Sequence, residues 1–448
     1  MDVYAPDFSR VKPEAERTLE YPEGRGPQLP SKFLPVSPVS RAHHRAVKKV
    51  HRREGKYIGV MMSAIVRRRF IIFAVFPLLL CGLAYVVSLT HSKYSQAAYE
   101  FLAFLLIVDL AIGLHGGLRN TATAIAATVL GLSLIEVAAT AMQPDQAINT
   151  RGFSVSRPIL GWGPSAPGTY HAARTGVDGR LIYNVDYTID NQLLRRTQSG
   201  PGDPTVAFFG DSFTFGQGLP DSETLPQIYA DITGRKVHVL NFGFPGYGPQ
   251  QFLRAIETGM FDPLLNNTKL FIYETGNWLI ERSACRPGFM SRAPRYTLRD
   301  GTPFYQGACL EGWRRALSDI VSGSSLFSRF AGSITKPVSN ADVELYIAEF
   351  ARSAQLVKQK YGGRLIILYI PYVGPYLDKS AFTDARIQKR LRDAGLSVLD
   401  VYLTPKTFSP GTQLMIAGDG HPSATANRAR ALLLKDYLAK GPASNQGP

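Results

Sequence analysis

Cysteine is scarce in this chain, since only Cys81, Cys285 and Cys309 occur among its 448 residues. Three thiols are too few for a structural zinc site built on thiolates, or for a small domain held together by many disulfides. The phosphate-loop pattern G-x-x-x-x-G-K-[S/T] is also absent, and no side chains show metal-ligand spacing. We therefore expect neither a metal ion nor another cofactor.

Acidic side chains are in the minority. Lysine and arginine number 50 against 35 Asp and Glu, a formal net charge of +15, and +8 of this excess falls within residues 1–69. The basic segment adjoins an apolar tract and lacks the interleaved aromatic side chains of a nucleic-acid-binding surface. Such charge is typical of contact with anionic lipid headgroups. The expected partners are inner-membrane lipids and not nucleic acid.

Three apolar stretches follow the basic segment. The first, Phe70–Leu89, is 20 residues long and carries no charge, which is enough for a helix to cross a hydrocarbon core of about 30 Å. It begins too far from the N-terminus to be a signal peptide. The second stretch contains Asp109 and the third contains Glu136. The sequence thus predicts a membrane region over 69–142, with transmembrane helices at about 70–90, 97–118 and 121–142. Only the short link H-G-G-L-R-N separates the last two, which should therefore form a helical hairpin.

Charge asymmetry predicts how these spans are oriented. Residues 1–68 resemble a basic, disordered tail, and Arg67, Arg68 and Arg69 abut the first span. The positive-inside rule places this tail in the cytoplasm, and three spans then place everything after Met142 outside it. We expect a protein of the bacterial inner membrane with an extracytoplasmic domain. A charged Asp109 costs about 2.5–3.5 kcal/mol in a span, so it should face the other helices, although a proton-relay role stays open.

Beyond residue 143 the composition is that of a soluble domain. The chain as a whole is 45% hydrophobic and 19% charged, which excludes global disorder. Residues 143–204 form a β-rich lead-in. Its strand 181–189 alternates apolar and polar residues, and Asp178-Gly179 is a hairpin turn that should pair this strand with the segment near Tyr170.

Strand and helix patterns alternate over 205–440. Short continuous apolar runs are typical of strands in a parallel sheet that is covered on both faces. They occur at 205–210, 236–243, 269–276, 364–371 and 396–402. Helical patterns separate them, at about 223–233, 250–260, 341–361, 382–394 and 423–439. We predict a three-layer α/β/α domain with a mostly parallel five-stranded sheet.

The stretch 281–340 interrupts this alternation and forms an insertion. It contains Cys285 and Cys309, with a predicted hairpin around Asp300-Gly301 between them. An extracytoplasmic compartment is oxidising, and the remaining cysteine, Cys81, lies in a span. We therefore expect a Cys285–Cys309 disulfide with Cα atoms about 5.5 Å apart.

Four polar blocks stand at strand ends or helix starts, where ligands bind in an open parallel sheet. They are G-D-S at 210–212, N-F-G-F-P-G at 241–246, G-N at 276–277 and D-G-H at 419–421. Together they suit acyl transfer through a serine. Ser212 would be the nucleophile, His421 its base and Asp419 the acid that orients the imidazole through a turn at Gly420. The Ser212 amide, the Gly246 amide and the Asn277 side chain would form the oxyanion hole.

In these four blocks the chain resembles the SGNH hydrolases, also called GDSL-type esterases. The family's last block is commonly Asp-x-x-His, whereas here Asp419 stands two residues before His421, as in periplasmic alginate O-acetylation proteins. The resemblance covers about 205–439. It implies an SGNH-type α/β/α domain, catalysis without a cofactor, and the roles just given for Ser212, His421, Asp419, Gly246 and Asn277. Glu274 and Trp278, beside Asn277, are interpreted as packing of the site wall.

The most favoured function is a membrane-anchored serine esterase that hydrolyses O-acyl esters, above all O-acetyl esters on an envelope or exported glycan. The alternatives are an O-acyltransferase that modifies a polysaccharide and a catalytically degenerate glycan-binding module. The insertion, over the mouth of the site, offers possible sugar contacts, although its aromatic side chains are more typical of a small core. These are Tyr296, Phe304, Tyr305 and Trp313, with Arg282, Arg286, Arg292 and Arg295 for an acidic glycan.

Overall fold

The computed structural model describes residues 74–90, 94–142, 152–176, 178–201, 205–322, 324–327, 336–371 and 374–440. The predicted tail, 1–68, and the first residues of the first predicted span lie outside the described residues. The described residues from Phe76 onward belong to one compact unit, which contains the elements below.

Among the described residues, the first elements are three apolar helices. Helix α1 is Phe76–Thr90, α2 is Ser95–Gly113 and α3 is Gly116–Ala141. Helices α2 and α3 are long and apolar enough to cross a membrane, whereas α1 has 15 residues and spans only about 22 Å. The second and third predicted spans are thus present as candidate spans within the described residues. The first predicted span, at about 70–90, stays a prediction.

Helices α2 and α3 form the predicted helical hairpin, but their link is shorter than expected. The sequence H-G-G-L-R-N was predicted as the link, yet α3 already begins at Gly116. The hydroxyls of Thr121 and Thr123 donate to backbone carbonyls one turn earlier, which supports this added first turn. Asp109 is buried, as expected of an acid in a helical bundle.

Two small antiparallel pairs make up the lead-in. Strands β1, Ser154–Arg157, and β2, Gly161–Pro164, form the first pair. Strands β3, Gly168–Thr175, and β4, Leu181–Ile189, form the second, with Tyr170 opposite Tyr187. The predicted hairpin is therefore confirmed.

The central sheet has five strands, and all of its pairs are parallel. Its strands are β5 Thr205–Phe209, β6 His238–Asn241, β7 Thr268–Gly276, β10 Arg364–Ile370 and β11 Ser397–Asp400, in the order β11-β10-β7-β5-β6. The apolar runs of the central strands are buried at nearly every position because helices cover both faces. The predicted five-stranded parallel sheet is confirmed.

The covering helices follow the predicted helical patterns to within a few residues. They are α5 Leu225–Ile232, α6 Pro249–Thr258, α10 Asn340–Tyr361, α11 Asp384–Asp393 and α12 Ala424–Lys440. The shorter helices are α4 Ser212–Phe215 after β5, α7 Asp262–Leu265 before β7, α8 Trp278–Ser283 after β7, and α9 Gly312–Ser322 in the insertion. Local capping fixes these ends. Helix α10, for example, begins at a capping box of Ser339 and Asp342 and ends at left-handed Gly362.

The insertion has its own small fold. A 3₁₀ turn at Gly288–Arg292 leads into the hairpin of β8, Pro294–Arg299, and β9, Thr302–Ala308, with its turn at Asp300-Gly301 as predicted. Cys285 and Cys309 form the expected disulfide, with Cα atoms 5.6 Å apart. Closing a loop of this length contributes on the order of 3 kcal/mol in the chain-entropy model.

Candidate active site

The nucleophile block turns sharply from β5 into α4. Gly210 has φ +153°, and a Cβ there would lie 2.2 Å from Thr214 Oγ1, so glycine alone fits. Asp211 caps α4 by accepting a hydrogen bond from the Phe213 amide at 2.9 Å. Ser212 is therefore fixed as the first residue of the helix, at the carboxyl edge of the sheet.

Residues of α8 hold this turn from behind. The carboxylate of Asp211 accepts from Trp278 Nε1 at 2.8 Å and from Arg282 Nη1 at 2.9 Å. The Trp278 ring also packs on Phe213, with ring centroids 4.7 Å apart. Trp278 thus packs the site wall as expected, but its hydrogen bond to Asp211 was not foreseen. Arg282 was considered for an acidic glycan and instead binds Asp211.

The structure brings the three predicted triad residues together. His421 Nε2 lies 2.9 Å from Ser212 Oγ, and His421 Nδ1 contacts Asp419 Oδ2. The backbone at Gly418 and Gly420 is left-handed, with φ +80° and +85°, which reverses the chain so that a carboxylate two residues before the imidazole can reach it. The turn predicted at Gly420 is present.

Arg174 is a second partner of Asp419 that sequence reasoning missed. It lies on β3 of the lead-in, 245 residues earlier in the chain, and its Nη1 donates to Asp419 Oδ1. Burial alone would raise the pKa of Asp419. The hydrogen bond from His421 and the positive charge of Arg174 outweigh burial and hold this pKa below its ordinary value. Asp419 is thereby ionised and oriented.

The glycine block packs against the back of α4. Asn241 Nδ2 donates to the Thr214 carbonyl at 3.0 Å, and Asn241 Oδ1 accepts from the Gly243 amide at 3.0 Å. A Cβ on Gly243 would lie 2.6 Å from the Phe215 nitrogen, so this close approach requires glycine. Asn241 and Gly243 therefore set the distance between the glycine block and the nucleophile.

The predicted oxyanion-hole residues occupy separate elements. Asn277 Nδ2 donates to Asp384 Oδ1 at 3.1 Å, and Asp384 also accepts from the Tyr369 hydroxyl at 2.7 Å. Burial raises the pKa of Asp384 above its ordinary value. An amide group has two N–H bonds, so a carboxylate that holds one of them fixes the direction of the other. Asp384, at the start of α11, was not foreseen, because only its place in the fold reveals this contact.

Glu274 lies in a buried network behind the nucleophile turn. It accepts from Thr214 Oγ1 at 2.8 Å, and Arg430 Nη1 of α12 lies 4.0 Å from its other oxygen. Burial raises the pKa of Glu274 to about 7, against the opposing effects of Arg430 and Thr214. Its position agrees with the predicted role in packing the site wall.

A cavity of about 470 Å³ adjoins the glycine block. Its walls come from the lead-in, the glycine block and the insertion, and they include Phe153, Trp162, Phe244, Gly246, Phe289 and Arg292. Trp162 Nε1 donates to the Pro245 carbonyl at 3.0 Å, which fixes the indole beside Gly246. The insertion therefore forms one wall of a largely aromatic cavity beside a predicted oxyanion donor.

Most aromatic side chains of the insertion are engaged within the protein. Tyr296 is buried and donates to Glu257 Oε2 at 2.5 Å. The Tyr305 ring lies under the Arg254 guanidinium at 3.6 Å, and the Phe304 ring pairs with Arg299. Trp313 differs from them, because 72% of it is exposed. Among the described residues, no group of three or more His, Cys, Asp or Glu side chains lies close enough to hold a metal ion.

Comparison with known proteins gives matches among solved structures. No protein-family model and no curated protein matches the chain. A lipolytic protein of the G-D-S-L family from Veillonella parvula is 16% identical, with a TM-score of 0.31, and the match covers 53% of this chain and 99% of that protein. A psychrotrophic esterase from Pseudoalteromonas is 14% identical, with a TM-score of 0.31 and coverage of 53% and 98%.

A carbohydrate acetylesterase family member from Sinorhizobium meliloti is also 14% identical, with a TM-score of 0.30 and coverage of 53% and 97%. These three solved structures are thus a lipolytic protein and two esterases. Because the TM-scores and identities are low, the function proposed below depends on the geometry of the site.

Proposed function

We propose that this chain is a membrane-anchored serine esterase of the SGNH type that hydrolyses O-acyl esters. The observation that carries the proposal is the continuous contact from Asp419 through His421 to Ser212 Oγ. A serine hydroxyl in hydrogen-bond reach of an imidazole, which is oriented in turn by an ionised carboxylate, is the arrangement that activates a serine for attack on an acyl carbon.

The reaction follows from these contacts. Ser212 Oγ attacks the ester carbonyl while its proton moves to His421 Nε2, and Asp419 stabilises the imidazolium. The Ser212 and Gly246 amides and the Asn277 side chain stabilise the negative oxygen of the tetrahedral intermediate. The C–O bond to the alcohol then breaks as His421 returns the proton to the leaving oxygen. Water attacks the acyl-serine by the same route and releases the acid and free Ser212.

The substrate is an ester, above all an O-acetyl ester, carried by an envelope or exported glycan. The walls of the cavity beside Gly246 support this choice, because Trp162 and Phe289 offer aromatic faces to a sugar ring and Arg292 offers a hydrogen-bond donor. Helices α2 and α3 would anchor the enzyme in the inner membrane, and a third span around α1 would place the catalytic domain outside the cytoplasm.

Release of p-nitrophenol from p-nitrophenyl acetate by the purified chain tests the site. Ser212→Ala and His421→Ala should each abolish activity, and Asp419→Ala should cost less, because the base remains in place when only its orienting acid is lost. Ser156→Ala, on an exposed position of β1, is the matched control. Wild-type rates in Ser212→Ala would exclude this site.

A second assay distinguishes hydrolysis from acyl transfer. Purified chain is incubated with an acetyl donor and a glycan acceptor, and free acetate and acetylated glycan are followed together. We expect free acetate to form faster. Acetylated glycan that forms faster than acetate would identify a transferase that uses the same acyl-serine.

A further inference from the structure

Helix α9 of the insertion has two unlike sides. On one side Asp319 accepts from Ser291 Oγ at 3.0 Å and from Arg292 Nη2 at 2.9 Å, so α9 is bound to the 3₁₀ turn that lines the cavity. On the other side Trp313 and Leu317, four residues apart and thus neighbours on the helix surface, are 72% and 51% exposed. The esterase reaction proposed above does not use this apolar side.

A short segment just beyond α9 is bound to the apolar hairpin. The Ser324 hydroxyl donates to Glu136 Oε2 at 2.7 Å, and the Leu326 amide donates to the same oxygen at 3.0 Å. The Thr140 hydroxyl donates to Ser325 Oγ at 2.9 Å. Glu136, which is 1% exposed, thus binds residues 324 and 326 of the insertion to α3.

These contacts fix where the segment lies along α3. Glu136 is five residues before Ala141, the last residue of α3, which is about 7.5 Å along the helix axis. If α3 crosses a membrane, this end is at the interface on the side of the catalytic domain. Residues 324–327 are then at the interface as well, and Phe327 adds a large apolar side chain there that is 46% exposed.

The chemistry of this surface fits a lipid interface better than a second protein. Tryptophan prefers the headgroup region, where its apolar ring contacts the acyl chains and its N–H can hydrogen-bond to water or headgroups. The Arg314 guanidinium lies 5.7 Å from the Trp313 ring centroid and adds a basic group that suits phosphate headgroups. Three large apolar side chains on a short helix and the segment after it are few against the 20–30 residues a side of a stable protein interface.

We infer that α9 and Phe327 lie on the membrane surface beside α3, and that this contact delivers esters held in the membrane to the cavity. The inference rests on the proposed esterase function and narrows its substrate to an acylated amphiphile, such as a glycan carried on a lipid. Because α9 is bound to the cavity wall through Asp319, an amphiphile in the leaflet is brought beside Gly246 without leaving the membrane.

Fluorescence of the full chain tests the contact without using activity. The chain has three tryptophans, at 162, 278 and 313. In vesicles of phosphatidylcholine and phosphatidylglycerol, brominated phosphatidylcholine should quench wild-type emission clearly more than that of Trp313→Phe. Equal fractional quenching of the two proteins would overturn the inference. So would a Trp313→Phe variant that dissociates a dimer without a change in quenching, because the occupant would then be a second copy.

Kinetics test the delivery of substrate. The wild-type chain in vesicles is assayed with two substrates that carry the same acetyl ester. One is a soluble methyl O-acetylglucoside, and the other is a dodecyl O-acetylglucoside that partitions into the membrane. We expect Trp313→Ser/Leu317→Ser to lower kcat/KM for the dodecyl ester about fivefold or more and to leave the methyl ester unchanged. Leu432→Ser, an equally apolar exposed position on α12, should affect neither. An equal effect of the double variant on both esters would overturn the inference.

Failure of the esterase proposal is recognised separately. A wild-type chain that leaves p-nitrophenyl acetate intact would contradict the proposed function, while the quenching experiment would still decide whether α9 contacts lipid.

Discussion

At the scale of single residues, the carboxylate of Asp419 shows how a shortened motif is accommodated. It stands between the imidazole of His421 and the guanidinium of Arg174. Left-handed backbone at Gly418 and Gly420 turns it toward the imidazole, and Arg174 binds its other oxygen. One carboxylate oxygen is thus held from the lead-in while the other orients the base. Arg174 does not touch the reacting atoms and acts as a positioning residue.

Arg174→Met should lower kcat for p-nitrophenyl acetate roughly 10- to 100-fold with little change in KM. Without Arg174 the carboxylate can rotate away from His421, and loss of such orientation costs up to about 10⁴ in a serine triad. Arg174→Lys should recover part of the rate, because it restores the charge. Arg180→Met, on the same hairpin with a side chain that is 87% exposed, is the matched control. An unchanged kcat in Arg174→Met would remove Arg174 from the site.

At the scale of elements, the sequence predicts what depends on local pattern. The strands of the sheet and their helices were predictable because buried parallel strands are continuous apolar runs and helices begin and end at capping residues. The triad was predictable because Ser212 follows a strand end and because Asp419 and His421 stand just before the last helix. Arg174 and Asp384 were not, since nothing local to β3 or α11 distinguishes a long-range partner from a surface charge. Helix α3 began earlier than predicted because a polar link of six residues is compatible with a first helical turn.

In the network behind the nucleophile turn, burial in the core changes the protonation of Glu274 on strand β7. Glu274 of β7 is 1% exposed, and it joins β7, α4 and α12 through Thr214 and Arg430. Burial raises its pKa to about 7, so the folded state holds a proton that the unfolded chain releases near pH 4.5. The free energy of unfolding therefore falls as pH rises from 4.5 to 7.

Glu274→Gln should remove this pH dependence. In wild type, the free energy of unfolding falls by about 1.4 kcal/mol per pH unit between pH 4.5 and 7. The stabilisation by neutral Glu274, roughly 3 kcal/mol, is therefore fully lost above pH 7. The variant should match wild type in Tm near pH 4.5, where Glu274 is neutral, and be more stable at pH 8. Thermal unfolding of the full chain in detergent at both pH values measures this, with Glu344→Gln on the exposed side of α10 as control. A Tm difference that is the same at both pH values contradicts the prediction.

At the scale of the whole molecule, the number of spans decides where the site works. Helices α2 and α3 are a hairpin and alone would return the chain to the side of its N-terminus, whereas a third span around α1 would place the catalytic domain opposite. The Cys285–Cys309 disulfide favours three spans, because disulfides persist in oxidising compartments and not in the cytoplasm. The basic charge before α1 gives the same orientation by an independent rule.

Reporter fusions test this topology. Alkaline phosphatase is active only outside the cytoplasm, so a fusion after residue 160 should be active and one at residue 60 inactive. A fluorescent protein that matures only in the cytoplasm, placed at the same two positions, should give the opposite pattern and controls for expression. An inactive phosphatase at 160 would indicate that an even number of spans precedes the catalytic domain. Ser212 would then face cytoplasmic esters, and an exported glycan would be excluded as substrate.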